Sequence, residues 1–237
     1  METTLHRELK VLYAGGAARS EVPVGRYRVD VIVGDRLVEI QHGPLAAIRE
    51  KVGQLLRTHR VLVVKPIVVR KLLVRRSAKG AEVTARRMSP KRGRLLDLFD
   101  ELVHFTGVFP HPRLTLEVPM IDIEQWRYPG HGRRRRWRKG DYEVEDQRLV
   151  EIRDTHRFRK ACDLLELIPG RLPRPFDTID LAECLGVDRR FAQRIAYCLR
   201  KTGAVREVGK RGNARLYECA AGHRHRKDAR QQRRPAA

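Results

Sequence analysis

The N-terminal stretch Thr4 to Ala14 reads as an amphipathic helix, and a period of two follows it. In Tyr27-Arg28-Val29-Asp30-Val31-Ile32-Val33 and in Arg36-Leu37-Val38-Glu39-Ile40-Gln41, apolar side chains alternate around the acids. Gly34-Asp35 joins the two runs and tolerates a positive φ, so they are expected to form a hairpin. A second helix is expected from Pro44 to about Thr58, then a buried strand from Arg60 to Lys65. Further on, Val68 to Val74 and Ala81 to Arg86 flank Ser77-Ala78-Lys79-Gly80 and read as a basic hairpin that extends the sheet. Ser89-Pro90 opens a helix with Leu95, Leu96, Phe99, Leu102 and Val103 on its apolar side, and Leu114 to Glu124 reads as one strand or two.

The C-terminal third has a different rhythm. A helix is expected from His156 to Ile168, with Phe158, Ala161, Leu164, Leu165 and Ile168 on one face and Pro169-Gly170 stopping it. Asp177 is an N-cap for a helix that Gly186 closes. Asp188 caps a longer helix, Arg189 to about Thr202, with Phe191, Ile195, Ala196 and Leu199 inward. Its outward face carries Arg189, Arg190, Gln193, Arg194, Arg200 and Lys201. Ala204 to Val208 and Ala214 to Glu218 then pair around Gly209-Lys210-Arg211-Gly212-Asn213.

Composition narrows the partner. Lysine and arginine number 51 against 29 acids, a formal charge of +22, and the pI is near 10.8. Such a balance favours binding to phosphate backbones by counterion release. No apolar run reaches membrane length and the N-terminus lacks an apolar signal core, so a soluble, cytoplasmic protein without a membrane partner is expected. Cys162, Cys184, Cys198 and Cys219 form no C-x-x-C pair and read as small core residues in a reducing compartment. Cys219, His223 and His225 lack a fourth zinc ligand. Arg133, Arg134, Arg135 and Arg136, followed by Trp137, form a strongly basic loop that reads as a phosphate-binding arm, the alternative being a solvated charge run. The oligomeric state is left open, with a homodimer admitted.

The candidate chemistry lies in the first hairpin. There Asp30 comes to stand beside Glu39, and two carboxylates on adjacent strands repel unless a cation lies between them. One or two carboxylates with water are what Mg²⁺ takes, with Mn²⁺ as the alternative ion. The run Val29-Asp30-Val31 … Val38-Glu39-Ile40-Gln41, with Glu8 upstream on a helix, resembles the PD-(D/E)XK nuclease superfamily. Its closest likeness is to the branch in which Gln replaces the usual Lys, as in CoiA-like nucleases. The Holliday-junction-resolvase group shares the arrangement but keeps Lys.

That resemblance covers about the first seventy residues. It implies a mixed α/β sheet flanked by helices, Asp30 and Glu39 as metal ligands, Glu8 as an additional acid, and Gln41 in the place of the catalytic lysine. An amide orients water but brings no charge, so Lys51 or Lys65 would have to supply it. Residues 154–219 resemble a winged helix-turn-helix domain, with Arg189 to Thr202 as the recognition helix. Arg189, Arg190, Gln193 and Arg194 would face DNA, and Lys210 and Arg211 would sit at the wing tip.

The expected layout is a nuclease core over 1–88, a basic middle extension over 89–153, a winged helix over 154–219 and a basic disordered tail over 220–237. The expected function is metal-dependent hydrolysis of DNA phosphodiesters. The rivals are a non-catalytic DNA-binding regulator with a degenerate nuclease fold and an RNA-binding basic protein.

Overall fold

The computed structural model describes residues 3–15, 19–130, 141–168 and 172–220. It divides into two compact units, Met1–Arg159 and Lys160–Ala237.

The first unit is built on a mixed sheet of eight strands. A helix, α1 (Thr4–Ala14), opens it, and the Thr3 side chain caps it by accepting from the His6 amide. Strands β1 (Arg19–Val24), β2 (Tyr27–Val33) and β3 (Arg36–Ile40) follow as an antiparallel meander. The β2–β3 turn places Gly34 at φ 59° and pairs Val33 with Arg36, the two-residue hairpin that needs glycine first. A 3₁₀ turn (Leu45–Ile48) and a short helix, α2 (Arg49–Leu55), lead to β4 (Arg60–Val64), which lies parallel to β3. The single helix expected from Pro44 to Thr58 is therefore two shorter pieces.

The long strands carry the sheet. Strands β4 and β5 (Ile67–Arg76) both pair in parallel with β7 (Leu114–Pro129), Val61 meeting Leu114 and Ile67 meeting Met120. They form one edge broken only at Lys65-Pro66, where the Lys65 amide still donates to the Glu117 carbonyl at 2.8 Å. Strand β8 (Tyr142–Phe158) runs antiparallel along the other side of β7. Strand β6 (Val83–Met88) pairs with β5, so β3 and β6 flank different halves of the same long edge. Between them the Gly93 amide donates to the Val68 carbonyl, an approach so close that a Cβ there would stand 2.4 Å from that oxygen.

Helices cover both faces. Leu5 and Leu9 of α1 pack on Val31, Val38, Ile40, Leu62, Val64, Ile121 and Ile123, all buried. Leu37, Val61 and Val63 alternate with these and are buried toward the opposite face, where α2 and α3 (Leu98–Leu102) lie with Leu98, Phe99 and Phe105. The helix expected from Ser89 begins only at Leu95, with a 3₁₀ turn.

Two expectations are corrected here. Residues 89–153 are not an extension, because β7 is central to the sheet and β8 pairs along its length, and the break between units falls after Arg159 rather than after residue 153. The helix expected from His156 is the end of β8 followed by a 3₁₀ segment, Ala161–Leu167. Its apolar spacing served two elements in turn.

In the second unit, α4 (Thr178–Leu185) and α5 (Arg189–Thr202) precede a hairpin of β9 (Val205–Arg211) and β10 (Ala214–Cys219). Asp177 caps α4 and Asp188 caps α5 as expected, and Gly186 and Gly203 end them in left-handed conformation. Phe176 exchanges two backbone hydrogen bonds with Tyr217, adding a third short extended segment. Strand β9 runs on through Gly209, Lys210 and Arg211, so the turn is Gly212-Asn213 alone. Residues 221–237, including His223 and His225, lie outside the described residues, as do 131–140. Cys162, Cys184, Cys198 and Cys219 form no disulfide; Cys198 is buried as expected of a core residue, Cys184 and Cys219 are half-buried, and Cys162 is exposed rather than in the core.

Leu9 of α1 is fully buried. Leu9→Ala is expected to cost about 2–5 kcal/mol of unfolding free energy, measured by urea denaturation. A loss below ~0.5 kcal/mol would show that α1 does not close this core.

Candidate functional site

The β2–β3 ladder holds its register from Val33 and Arg36 to Val31 and Val38. Continued by one residue, it sets Asp30 opposite Glu39. There the strands part. The Ile40 amide, which the ladder would hand to β2 backbone, donates instead to Asp30 Oδ2 at 2.8 Å. The carboxylate of Asp30 thus fills the fork between the strands. Its other oxygen faces α1, with His6 Nε2 at 3.3 Å and Lys10 Nζ at 3.5 Å. Lys10 also pairs with Glu21 of β1.

Glu39 looks the other way. Its side chain is only 7% exposed, and Oε1 accepts from Lys51 Nζ of α2 at 2.5 Å. Oε2 is buried with no hydrogen-bond partner. Gln41 continues β3 along β4, its amide donating to the Val64 carbonyl at 2.8 Å, while its side-chain Nε2 donates to the Pro44 carbonyl at 2.9 Å. Lys65, at the break between β4 and β5, donates to the carbonyls of His42 and Gly43 and pairs with Glu101 at 3.2 Å.

Electrostatics separates the two acids. Burial would raise the Asp30 carboxyl, but the His6 hydrogen bond, the Ile40 amide and the charges of His6 and Lys10 outweigh it, and the group titrates below an ordinary aspartate. Burial raises Glu39, and the charge of Asp30 adds to this against Lys51. Burial also depresses the Lys65 ammonium, with Glu101 opposing. A buried carboxylate oxygen with no donor is costly, and a cation would relieve it. Among the described residues, no group of three or more His, Cys, Asp or Glu is arranged to hold a metal. A buried carboxylate oxygen without a donor is the kind of ligand Mg²⁺ takes, and Glu39 offers one, while Asp30 turns to α1.

Glu8 is not brought to this place. Its carboxylate accepts the Leu149 amide of β8 at 2.7 Å. His6 and Lys10 share a helix face at i and i+4, and Glu8, two residues from each, points elsewhere. These two residues were missed in the sequence, where that shared face on α1 was the available signal.

In the second unit, Arg189, Arg190, Gln193, Arg194 and Lys201 are exposed on α5 together with Tyr197, which the sequence reading passed over. The Arg194 guanidinium lies 5.2 Å from the centre of the Phe191 ring. Lys210 is exposed on β9. Arg211 is not a free wing-tip cation: its guanidinium turns back onto the buried Asp177 and onto Asp180 at the head of α4. Arg133, Arg134, Arg135 and Arg136 fall outside the described residues. No helix among the described residues is long and apolar enough to cross a membrane.

This architecture has relatives. The chain belongs to the family described as a domain of unknown function (DUF8091), whose model matches residues 3–159, the extent of the sheet-bearing unit. An uncharacterized protein of Treponema pallidum (strain Nichols) is 31% identical over 218 residues, covering 91% of this chain and 84% of that protein. No solved structure matches.

His42, beside Lys65, is driven down to about 4 by burial and by the charges of Lys65, Lys71 and His6. The unfolded value is about 6.5, so the unfolded chain takes up a proton that the folded chain refuses. The stability associated with neutral His42 is complete above about pH 6.5 and is lost as pH falls toward 4. Urea midpoints across this window are expected to fall less steeply for His42→Gln than for the parent. Parallel profiles would place His42 in water.

Proposed function

We propose that the sheet-bearing unit is a metal-dependent nuclease of the PD-(D/E)XK type acting on DNA. The observation that carries this reading is Asp30 filling the fork between β2 and β3 beside Glu39, whose Oε2 is buried without a donor. The order α1, β1, β2, β3, α2, β4, with β3 and β4 parallel, supports it. In this reading the carboxylates of Asp30 and Glu39, which here turn to α1 and to α2, would come together on one divalent ion, Mg²⁺ or Mn²⁺. When bound, such an ion polarises a phosphate and lowers the pKa of a water.

The chain's own groups do the rest. His6, Lys10 and the Ile40 amide keep Asp30 ionised and fix its orientation. Lys51 brings to Glu39 the positive charge that Gln41 lacks, from α2 rather than from β3. Gln41 is left to orient water through its amide. Glu8 has no part in this version of the site, being held by β8.

One observation favours a second reading, a DNA-binding regulator without catalysis. Lys51 already neutralises Glu39, so the pair balances without a metal. Plasmid cleavage with Mg²⁺, Mn²⁺ or chelator separates the two. Asp30→Asn and Glu39→Gln are each expected to lower metal-dependent cleavage by roughly 100-fold or more, the several kcal/mol that such stabilisation supplies. DNA affinity should stay near that of the parent. An Asp30→Asn protein that cleaves like the parent removes the assigned centre.

The second unit we read as a winged helix that tethers DNA. Two capped helices, a β-hairpin and the Phe176 bridge to Tyr217 support it, as does the basic exposed face of α5. Arg189, Arg190, Gln193 and Arg194, with Lys210, are the contacts in this reading. Arg211 instead braces the wing against α4. Replacing Arg190 and Arg194 with Ala should weaken duplex binding and lower the salt slope by about 0.9 for each lost phosphate contact. Titrations that overlay the parent on every DNA would leave this unit as a protein-docking module.

A further inference from the structure

The half of the sheet remote from Asp30 gathers a second body of positive charge on one face. Arg75 of β5 stands opposite Arg127 of β7, and Arg87 of β6 stands opposite Leu73, two residues before Arg75. Directly opposed residues share a face, as do residues two apart on one strand. Three neighbouring strands therefore send guanidinium groups to the same side. These line one cavity of about 360 Å³ together with Tyr128, Asp141 and Tyr142. Lys71 lies on the same face of β5, and burial together with the charges of Lys91 and Arg127 pushes its ammonium below the ordinary lysine value.

Lys71, Arg75, Arg87, Lys91 and Arg127 have no acidic partner among the described residues. The opposite face is different, with Arg76 paired to Glu145 and Arg148 to Asp146. Like charges set directly opposite are destabilising, and Asp141 is the one acid among the described residues lining the cavity against three guanidinium groups, so the surplus positive charge suits an anion.

The shape of the cluster selects among anions. Side chains two apart on a strand stand roughly 7 Å apart, so Lys71 to Arg75 spans about 13 Å. Arg75, Arg87 and Arg127 meet at one cavity and Lys71 carries the charge two steps further along β5, so the row suits successive phosphates of an extended polyanion. Aromatic faces accompany it. Tyr142 is 42% exposed, and the Arg127 guanidinium lies 4.7 Å from the centre of its ring. A row of cations beside an exposed ring is how single strands are held, phosphates along the charges and a base on the ring.

We propose that this face binds a single strand of nucleic acid, its phosphodiester groups along Arg75, Arg87 and Arg127 and a base against Tyr142. The site needs no divalent ion and is independent of the chemistry assigned to Asp30 and Glu39.

The test uses the full chain in chelator, with anisotropy of labelled single-stranded and duplex oligonucleotides at several salt concentrations. The triple variant Arg75→Gln, Arg87→Gln, Arg127→Gln is expected to bind single strands about tenfold more weakly, with a salt slope lower by about 2 for three contacts. Tyr142→Ala should weaken single strands alone by a few-fold. The corresponding triple Lys variant preserves charge and should keep the parent's slope. It also guards against a Gln variant that fails to fold, which thermal unfolding reveals. Parent-like slopes in the Gln triple, or a loss on duplex as large as on single strand, would overturn the proposal. So would a loss confined to anionic phosphatidylserine vesicles, which would assign the face to a lipid surface. Asp30→Asn should bind single strands like the parent while losing cleavage, so the two assignments fail separately.

Discussion

The Asp30 carboxylate takes the amide of Ile40, and the geometry of the candidate site follows from that bond. A two-residue hairpin would ordinarily continue its ladder backbone to backbone. Here a side chain ends it and opens a fork. Because Val31, Val38 and Ile40 are locked under α1, the strands cannot close again without withdrawing apolar surface from that core. The acid is therefore held where water and a cation can reach it, yet it is buried enough to demand compensation. His6 and Lys10 supply that from α1, and Lys51 supplies it to Glu39 from α2. Helices on the two faces thus each deliver a cation to one acid of the pair.

The same sheet positions the rest by length. β7 has neighbours on both sides for most of its course, and the edge made of β4 and β5 is long enough to take β3 on one half and β6 on the other. The break at Lys65-Pro66 separates the halves. One half holds the acids and their compensating lysines. The other holds unpaired arginines over a concave face. In this half the cations are sorted by the face of the sheet, Arg76 and Arg148 paired on one face and Arg75, Arg87 and Arg127 gathered on the other.

Much of this was legible in the chain. The helix from Thr4 to Ala14, the hairpin around Gly34 and the caps Asp177 and Asp188 are local, set by period, turn chemistry and capping within a few residues. β1 went unread because Arg19–Val24 is short, polar at its start and interrupted by a proline, a strand made by its neighbour rather than by its own pattern. The end of β8 was read as helix because Phe158, Ala161, Leu164, Leu165 and Ile168 satisfy a helical spacing across an element boundary.

By itself the sequence determined which residues are acidic, which segments alternate and which ends are capped, since these depend on neighbours in the chain. It therefore determined that Asp30 and Glu39 take opposed positions across a hairpin, while the structure turns Asp30 to α1 and Glu39 to α2. Only the tertiary structure decided which cations meet them. Glu8 went to the Leu149 amide, His6 and Lys10 to Asp30, and Arg211 to Asp177, because side-chain direction on a helix or strand is fixed by packing against elements far away in sequence. The basic cavity on β5, β6 and β7 is likewise a matter of register between strands distant in sequence, and register is chosen by burial of the whole sheet rather than by any one strand.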